Sequence, residues 1–341
     1  MNYKIIGKSG LRVSELCLGA MTFGTEWGTG ADFNTSKKIF ETFIKAGGNF
    51  IDTANRYTEG TSEKWVGEFI AAERERFVVA TKYTLYNHRG DPNSAGNHRK
   101  NLVQTLEKSL VNLKTPYIDI LYLHAWDFTT GPDEVMRALD DLISSGKVLY
   151  IGISDTPAWI VSQCNTLAEL RGWTKFILLQ IEYSLLQRTP ERDLLPMAEA
   201  LGIAVAAWAP LGGGALTGKY LQKSTDNQPK RLKKDSTRLT ERNTTIVKEV
   251  VKIAKEMGCK PAHIAIKWVQ LQRNQLFPIV GARTLEQMKD NLQSLDIQLS
   301  SEHIQRLNEI SKIELGFPHD FLKTNTVKEL IYPGFYDKMV F

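Results

Sequence analysis

Residues 118–154 read IDILYLHAWDFTTGPDEVMRALDDLISSGKVLYIGIS, and this stretch holds one complete turn of the chain's organisation. Ile118 to His124 is a short apolar run that ends in a polar residue. Asp133 to Ser145 is an amphipathic helical pattern that stops at Gly146, the usual residue just past a helix. Val148 to Ser154 is a second apolar, β-branched run. Strand, helix and strand joined by short links make a βαβ unit. Runs that are apolar throughout, rather than alternating, belong to parallel strands covered on both faces.

The same unit recurs on either side. The sequence predicts strands over Leu16–Gly19, Asn49–Thr53, Phe77–Lys82, Ile118–His124, Val148–Ser154, Phe176–Ile181, Ile203–Trp208 and Phe277–Val280. Between them lie helical patterns over Ser36–Ala46, Arg99–Leu113, Asp133–Ser145, Glu191–Leu201 and Glu241–Met257. Four of these stop at glycine: Gly47, Gly146, Gly202 and Gly258. Eight strands alternating with helices predict an α/β (β/α)8 TIM barrel, and residues 1–341 are read as one domain. A doubly wound open sheet is the competing fold. It needs a Gly-rich phosphate turn after its first strand, and Gly19-Ala20-Met21-Thr22-Phe23-Gly24 lacks the required spacing.

Composition narrows the function classes. Apolar residues make up 42% and charged residues 24%, as in ordinary globular enzymes. The net charge of +5 is small and dispersed, which argues against a nucleic-acid surface. One basic cluster, Lys230-Arg231-Leu232-Lys233-Lys234, lies in the polar stretch 222–243 and reads either as a solvated loop or as a flap near an anionic cofactor. Neither a signal peptide nor a membrane span is expected. Cys17, Cys164 and Cys259 are scattered and odd in number, so no disulfide framework or metal site is expected and a reducing, cytoplasmic setting is.

Barrels of this type carry their chemistry at the carboxyl ends of the strands. The predicted strands end in Asp52, Lys82, His124, Ser154-Asp155, Gln180, Trp208 and Gly281. Each polar residue alone has an ordinary reading as a cap, a surface residue or a hydrogen-bonded core side chain. Together, at one rim and with Tyr57 nearby, they form a set for acid–base work. A lysine ammonium beside a tyrosine lowers the phenol's pKa, an aspartate fixes the lysine, and a neutral imidazole orients a carbonyl oxygen.

These residues resemble the aldo-keto reductases over about Tyr3 to Leu295. Phe50-Ile51-Asp52-Thr53-Ala54-Asn55-Arg56-Tyr57 resembles that family's second-strand signature, Val78–Lys82 its lysine strand and Asp119–His124 its histidine strand. The resemblance implies a catalytic tetrad of Asp52, Tyr57, Lys82 and His124, with Tyr57 as the proton donor to a small-molecule carbonyl substrate. It also implies a cofactor site. Gly19, Ala20 and Met21 back the nicotinamide ribose; Ser154, Asp155 and Gln180 hold the carboxamide; Trp208 stacks on the ring. Ala209, Pro210, Leu211, Gly212 and Lys219 follow the pyrophosphate. Gly281 and Arg283 belong to the segment where a helix N-terminus meets the adenosine phosphate, and Gln287 and Asn291 face the adenine from that helix. Arg283, with Lys219 and the flap arginines Arg231 or Arg238, favours NADPH/NADP+ over the unphosphorylated cofactor.

Asp155 stands where most of that family has Asn. The run Ser154-Asp155-Thr156-Pro157-Ala158-Trp159 resembles the aryl-alcohol dehydrogenase-like branch, where Asp is familiar. Trp27, Tyr83, Trp126 and the tail 313–341, with Phe317 and Phe321, are expected to wall an apolar mouth for aromatic or medium-chain aldehydes. Two other functions compete. One is a cofactor-binding regulatory subunit resembling the potassium-channel β subunits. The other is an aldolase using Lys82 as a Schiff-base nucleophile.

Overall fold

The computed structural model describes residues 1–221, 232–233 and 235–339. Two short strands, β1 (Tyr3–Ile5) and β2 (Arg12–Ser14), pair antiparallel. Eight more follow: β3 (Cys17–Gly19), β4 (Phe50–Asp52), β5 (Val78–Tyr83), β6 (Ile118–Leu123), β7 (Val148–Ser154), β8 (Leu178–Glu182), β9 (Ala204–Trp208) and β10 (Leu276–Val280). These eight are the strands read from the sequence, shifted by at most two residues at an end. They pair in parallel and close in the order β10-β3-β4-β5-β6-β7-β8-β9. The chain is a (β/α)8 barrel.

Helices α1 (Phe33–Lys45), α2 (Thr61–Ile70), α3 (Arg99–Leu113), α4 (Pro132–Ser144), α5 (Ala158–Arg171) and α6 (Leu194–Leu201) each return the chain to the next strand. Helices α7 (Glu241–Glu256) and α8 (Pro261–Leu271) lie between β9 and β10, and α9 (Leu285–Leu292) follows β10. The chain then continues through α10 (Ser301–Ser311), α11 (His319–Leu322) and α12 (Asn325–Ile331). Local chemistry sets these boundaries. Asp32 caps α1 by accepting from the Thr35 amide at 2.8 Å. Pro132 occupies the first turn of α4 with Asp133 and Glu134, which suits the missing N–H and the helix dipole.

Alternation along each strand separates two cores. Leu18, Ile51, Val79, Leu121, Ile153, Leu179 and Val205 face the helices. Cys17, Phe50, Val78, Ala80, Ile120, Tyr122, Leu178, Ala204, Ala206 and Phe277 fill the barrel. Counting on by two from the inward set reaches Gly19, Asp52, Lys82, His124, Gln180 and Trp208. The polar strand ends therefore point into the barrel's mouth because the residues beneath them form its core.

The β1–β2 hairpin was not expected, since each strand is three residues long. It closes the opposite end. Ile6 and Val13 join the interior cluster, and Gly7 sits against residues that precede β8 and β9. A Cβ on Gly7 would lie 2.7 Å from the Ile177 carbonyl oxygen, so this contact needs glycine.

Candidate active site

Register brings the charged residues together. Asp52 pairs with Ala80 and Lys82 with Tyr122 across neighbouring strands. Tyr122 in turn pairs with Gly152, and a Cβ there would lie 2.5 Å from the Tyr122 ring. Gly152 thus makes room for an aromatic floor beneath Lys82, whose ammonium lies 5.9 Å from the Tyr122 ring centroid.

Lys82 is completely buried, and its ammonium donates three hydrogen bonds: to Asp52 Oδ2 at 2.7 Å, to the Thr53 carbonyl at 2.8 Å and to Tyr57 Oη at 3.0 Å. Gln180 Nε2 donates to the other Asp52 oxygen at 2.8 Å. Burial alone would lower the Lys82 pKa, but Asp52 and Tyr57 outweigh it and the net direction is upward. A fully donated, persistently charged ammonium is a poor amine nucleophile, which weighs against the aldolase reading.

Tyr57 reaches this ammonium from a strained turn. Thr58 (φ 46°) and Glu59 (φ 57°) are left-handed, which is unfavourable for a β-branched residue. Thr58 Oγ1 donates to the Phe23 carbonyl at 2.6 Å and accepts from the Ser62 amide at 3.1 Å. Burial pushes the phenol's pKa up by more than Lys82 pulls it down. Lys82 does pull it down, as expected, but desolvation, helped by the Asp52 charge, outweighs that pull and the net direction is upward. His124 lies edge-on to Tyr57, ring centroids 5.9 Å apart. Burial, helped by the Lys82 charge, lowers its pKa to about 3, so the imidazole is neutral.

Asp52, Tyr57, His124 and Gln180 face a cavity of about 620 Å³, with Lys82 buried behind them. One limb runs past β9 and β10 and is lined by Lys219, Arg238, Arg283, Gln287 and Asn291, among others. Asn291 donates to the Gly281 carbonyl at 3.1 Å, and Gln287 accepts from the Arg283 amide at 2.8 Å. Gly213 and Gly214 are left-handed, and Lys219 and Arg238 approach where Cβ atoms would otherwise be. Ser154 Oγ and His124 Nδ1 are buried without a hydrogen-bond partner among the described residues. Of these two residues His124 lines the cavity, and with three cations along one limb it fits a polar, anionic, dinucleotide-sized group.

A model of the aldo/keto reductase family matches residues 15–312. The chain belongs to that family. This aldo/keto reductase is 40% identical over 331 residues to a norsolorinic acid reductase of Aspergillus flavus, spanning 94% of this chain and 84% of that protein. It is 38% identical over 350 residues to an aryl-alcohol dehydrogenase [NADP(+)] of Phanerodontia chrysosporium, spanning 96% and 91%. It is also 37% identical over 336 residues to norsolorinic acid reductase B of Dothistroma septosporum, spanning 94% and 84%.

Most of the cofactor residues read from the sequence line this aldo/keto reductase's cavity, but Ala20, Ser154 and Gly212 lie behind it. Trp27 lines it, with its ring edge-on to Tyr57 at 6.4 Å. Two expected wall residues are corrected. Tyr83 follows the inward Lys82, so alternation turns it outward; it is fully buried in the helix-facing core. Trp126 is also buried there, 8% exposed. The described part of the tail contributes no lining residue, and Phe317 is 84% exposed. Arg231 and most of the basic cluster lie outside the described residues. Arg238 does line the cavity, paired with Glu182 at 2.5 Å.

Asp155 lines the cavity beside Trp208. It is left-handed (φ 38°), and its carboxylate accepts from the Trp208 indole at 3.2 Å. The acid anchors the aromatic, a role that needs only an acceptor. The sequence reading missed Arg56, Leu85 and Asp290 as lining residues. The signal for Arg56 was its place directly before Tyr57. Among the described residues, no cluster of three or more His, Cys, Asp or Glu side chains suits a metal, and no helix is long and apolar enough to cross a membrane. Cys17, Cys164 and Cys259 are free.

Proposed function

We propose that this aldo/keto reductase reduces aromatic aldehydes or ketones to alcohols with NADPH, using Tyr57 as the proton donor. The observation that carries this reading is the buried Asp52–Lys82–Tyr57 chain of hydrogen bonds at the floor of the cavity. The reduced nicotinamide, when bound, supplies the hydride. Tyr57 Oη gives its proton to the carbonyl oxygen. The Lys82 ammonium, 3.0 Å away, stabilises the phenolate left behind, and Asp52 holds Lys82 in place. Neutral His124 orients the carbonyl oxygen without adding a competing charge. Burial raises the Tyr57 phenol's pKa, so the proton that the reduction needs is in place at neutral pH.

Lys219, Arg238 and Arg283 along one limb support a phosphorylated cofactor, as does the NADP(+) in one relative's name. Trp27, Leu85 and Trp208 support a flat, largely apolar substrate, in line with relatives named for norsolorinic acid and aryl alcohols. The intact tetrad contacts favour catalysis over the regulatory-subunit reading. The test is to follow NADPH absorbance with a panel of benzaldehydes and aliphatic aldehydes. Turnover fastest with the aromatic members supports the reading; tight NADPH binding with no turnover of any carbonyl contradicts it.

A further inference from the structure

Among the described residues, four arginine or lysine side chains line the cavity, and three of them follow β9 and β10 on the limb assigned above to the cofactor. Arg56 is the exception. It comes from the turn after β4, directly before Tyr57, and shares its wall with Trp27 and Leu85. It stands where a substrate would lie, beside the proposed proton donor.

Its placement is built. Arg56 pairs with Glu59 through Nη1 and donates from Nη2 to Tyr86 Oη at 2.6 Å. The guanidinium also lies 4.2 Å over the Tyr86 ring. Glu59 accepts at its other oxygen from the Trp27 indole at 3.1 Å. One carboxylate, held in the strained turn after Tyr57, therefore fixes a guanidinium and an indole on the same wall. Neither Glu59 nor nearby Glu26 lines the cavity. The carboxylates that do, Asp52, Asp155 and Asp290, already accept from Lys82, Trp208 and Lys260. A guanidinium has five N–H donors, so Arg56 keeps donors for an anion in the cavity.

We propose that Arg56 makes this aldo/keto reductase select aromatic carbonyl compounds that carry an anionic oxygen, a carboxylate or an ionised phenol, on the ring. Trp27 supplies a flat face for the ring, and Arg56 takes the anion in a charge-assisted, forked contact. The inference rests on the reductase reading above and names its substrate class.

The test compares kcat/KM for 4-carboxybenzaldehyde and its neutral analogue, methyl 4-formylbenzoate, at pH 7. The full-length protein and its Arg56→Gln and Arg56→Lys variants are assayed with NADPH. The ratio of the two substrates is the readout, so a general disturbance of the wall cancels. Wild type is expected to favour the carboxylate by about tenfold, the scale of one charge-assisted hydrogen bond. Arg56→Gln brings the ratio close to one. Arg56→Lys leaves it in between, because a lysine keeps the charge and loses the fork. A wild type without preference, or a ratio untouched in Arg56→Gln, overturns the proposal. If no aldehyde turns over, the reductase reading fails separately, and binding of 4-(hydroxymethyl)benzoate then decides for Arg56. That binding is followed by tryptophan fluorescence, since Trp27 and Trp208 line the cavity. Affinity about tenfold weaker in Arg56→Gln supports the proposal; equal affinities, or no binding to wild type, overturn it.

Discussion

Replacing Lys82 with methionine separates what its ammonium does for stability from what it does for chemistry. Lys82 is fully buried and Asp52 is 3% exposed, so the substitution strands a carboxylate whose remaining side-chain donor is Gln180. Removing one partner of a buried ion pair costs about 3–5 kcal/mol. With an unfolding entropy of ~2.1 cal/mol/K per residue, 341 residues give ~0.7 kcal/mol/K, so the melting temperature falls by about 4–7 °C. Adding Asp52→Asn removes the stranded charge, while the amide oxygen still accepts from Gln180. The Thr53 carbonyl remains unpaired, at about 1–3 kcal/mol, so the double variant recovers roughly 2–3 kcal/mol. Thermal melts by circular dichroism at 222 nm, on wild type and the three variants, read the cycle. A double variant that melts no higher than Lys82→Met alone refutes the account of a stranded charge. Carbonyl reduction stays lost in both, because neither restores a cation beside Tyr57; activity that returned with stability would refute the catalytic half.

Three further outcomes are expected. His124 has a folded pKa of about 3 against an ordinary 6.5, so the unfolded chain takes up its proton first as pH falls. Its contribution to stability is complete above pH 6.5 and is lost between 6.5 and 3, roughly 2 kcal/mol by pH 5. Unfolding free energies from urea titrations at pH 7 and pH 5 should differ by that much more in wild type than in His124→Gln; identical differences contradict a buried neutral imidazole. Gly152→Ala drives a methyl into the Tyr122 ring and lowers stability by about 1–3 kcal/mol, readable as a shifted denaturant midpoint, whereas an unchanged midpoint would mean that the ring is free to move. Arg283→Gln weakens NADPH binding about tenfold with little change for NADH, by fluorescence titration. Equal losses for the two cofactors would remove Arg283 from 2′-phosphate recognition.

The barrel was legible because each strand is an apolar run and most of the helices between them stop at glycine. The hairpin was not, because three-residue strands leave no period to read. Asp52, Lys82 and His124 were legible as one group from strand ends, and the interior core explains why: Phe50 and Asp52, or Val78, Ala80 and Lys82, share one face of their strands. Tyr57, by contrast, lies in the turn after β4 and was read from the family resemblance. The same rule, applied one residue further, would have kept Tyr83 out of the mouth. Net electrostatics were harder to read. The Lys82 charge beside Tyr57 was visible in the sequence, but the depth of burial that outweighs it was not. Arg56 was overlooked for a similar reason: the carboxylate and indole that hold it come from a turn and a loop whose course no periodicity encodes.

The central claim is that Tyr57 delivers the proton. It is tested most directly by comparing wild type and Tyr57→Phe under saturating NADPH with an aromatic aldehyde, while cofactor binding is measured independently. The account predicts that the variant binds NADPH as wild type does and loses reduction by about 100-fold or more, the scale of general-acid catalysis. A variant that binds the cofactor and still reduces the aldehyde at close to the wild-type rate would contradict it.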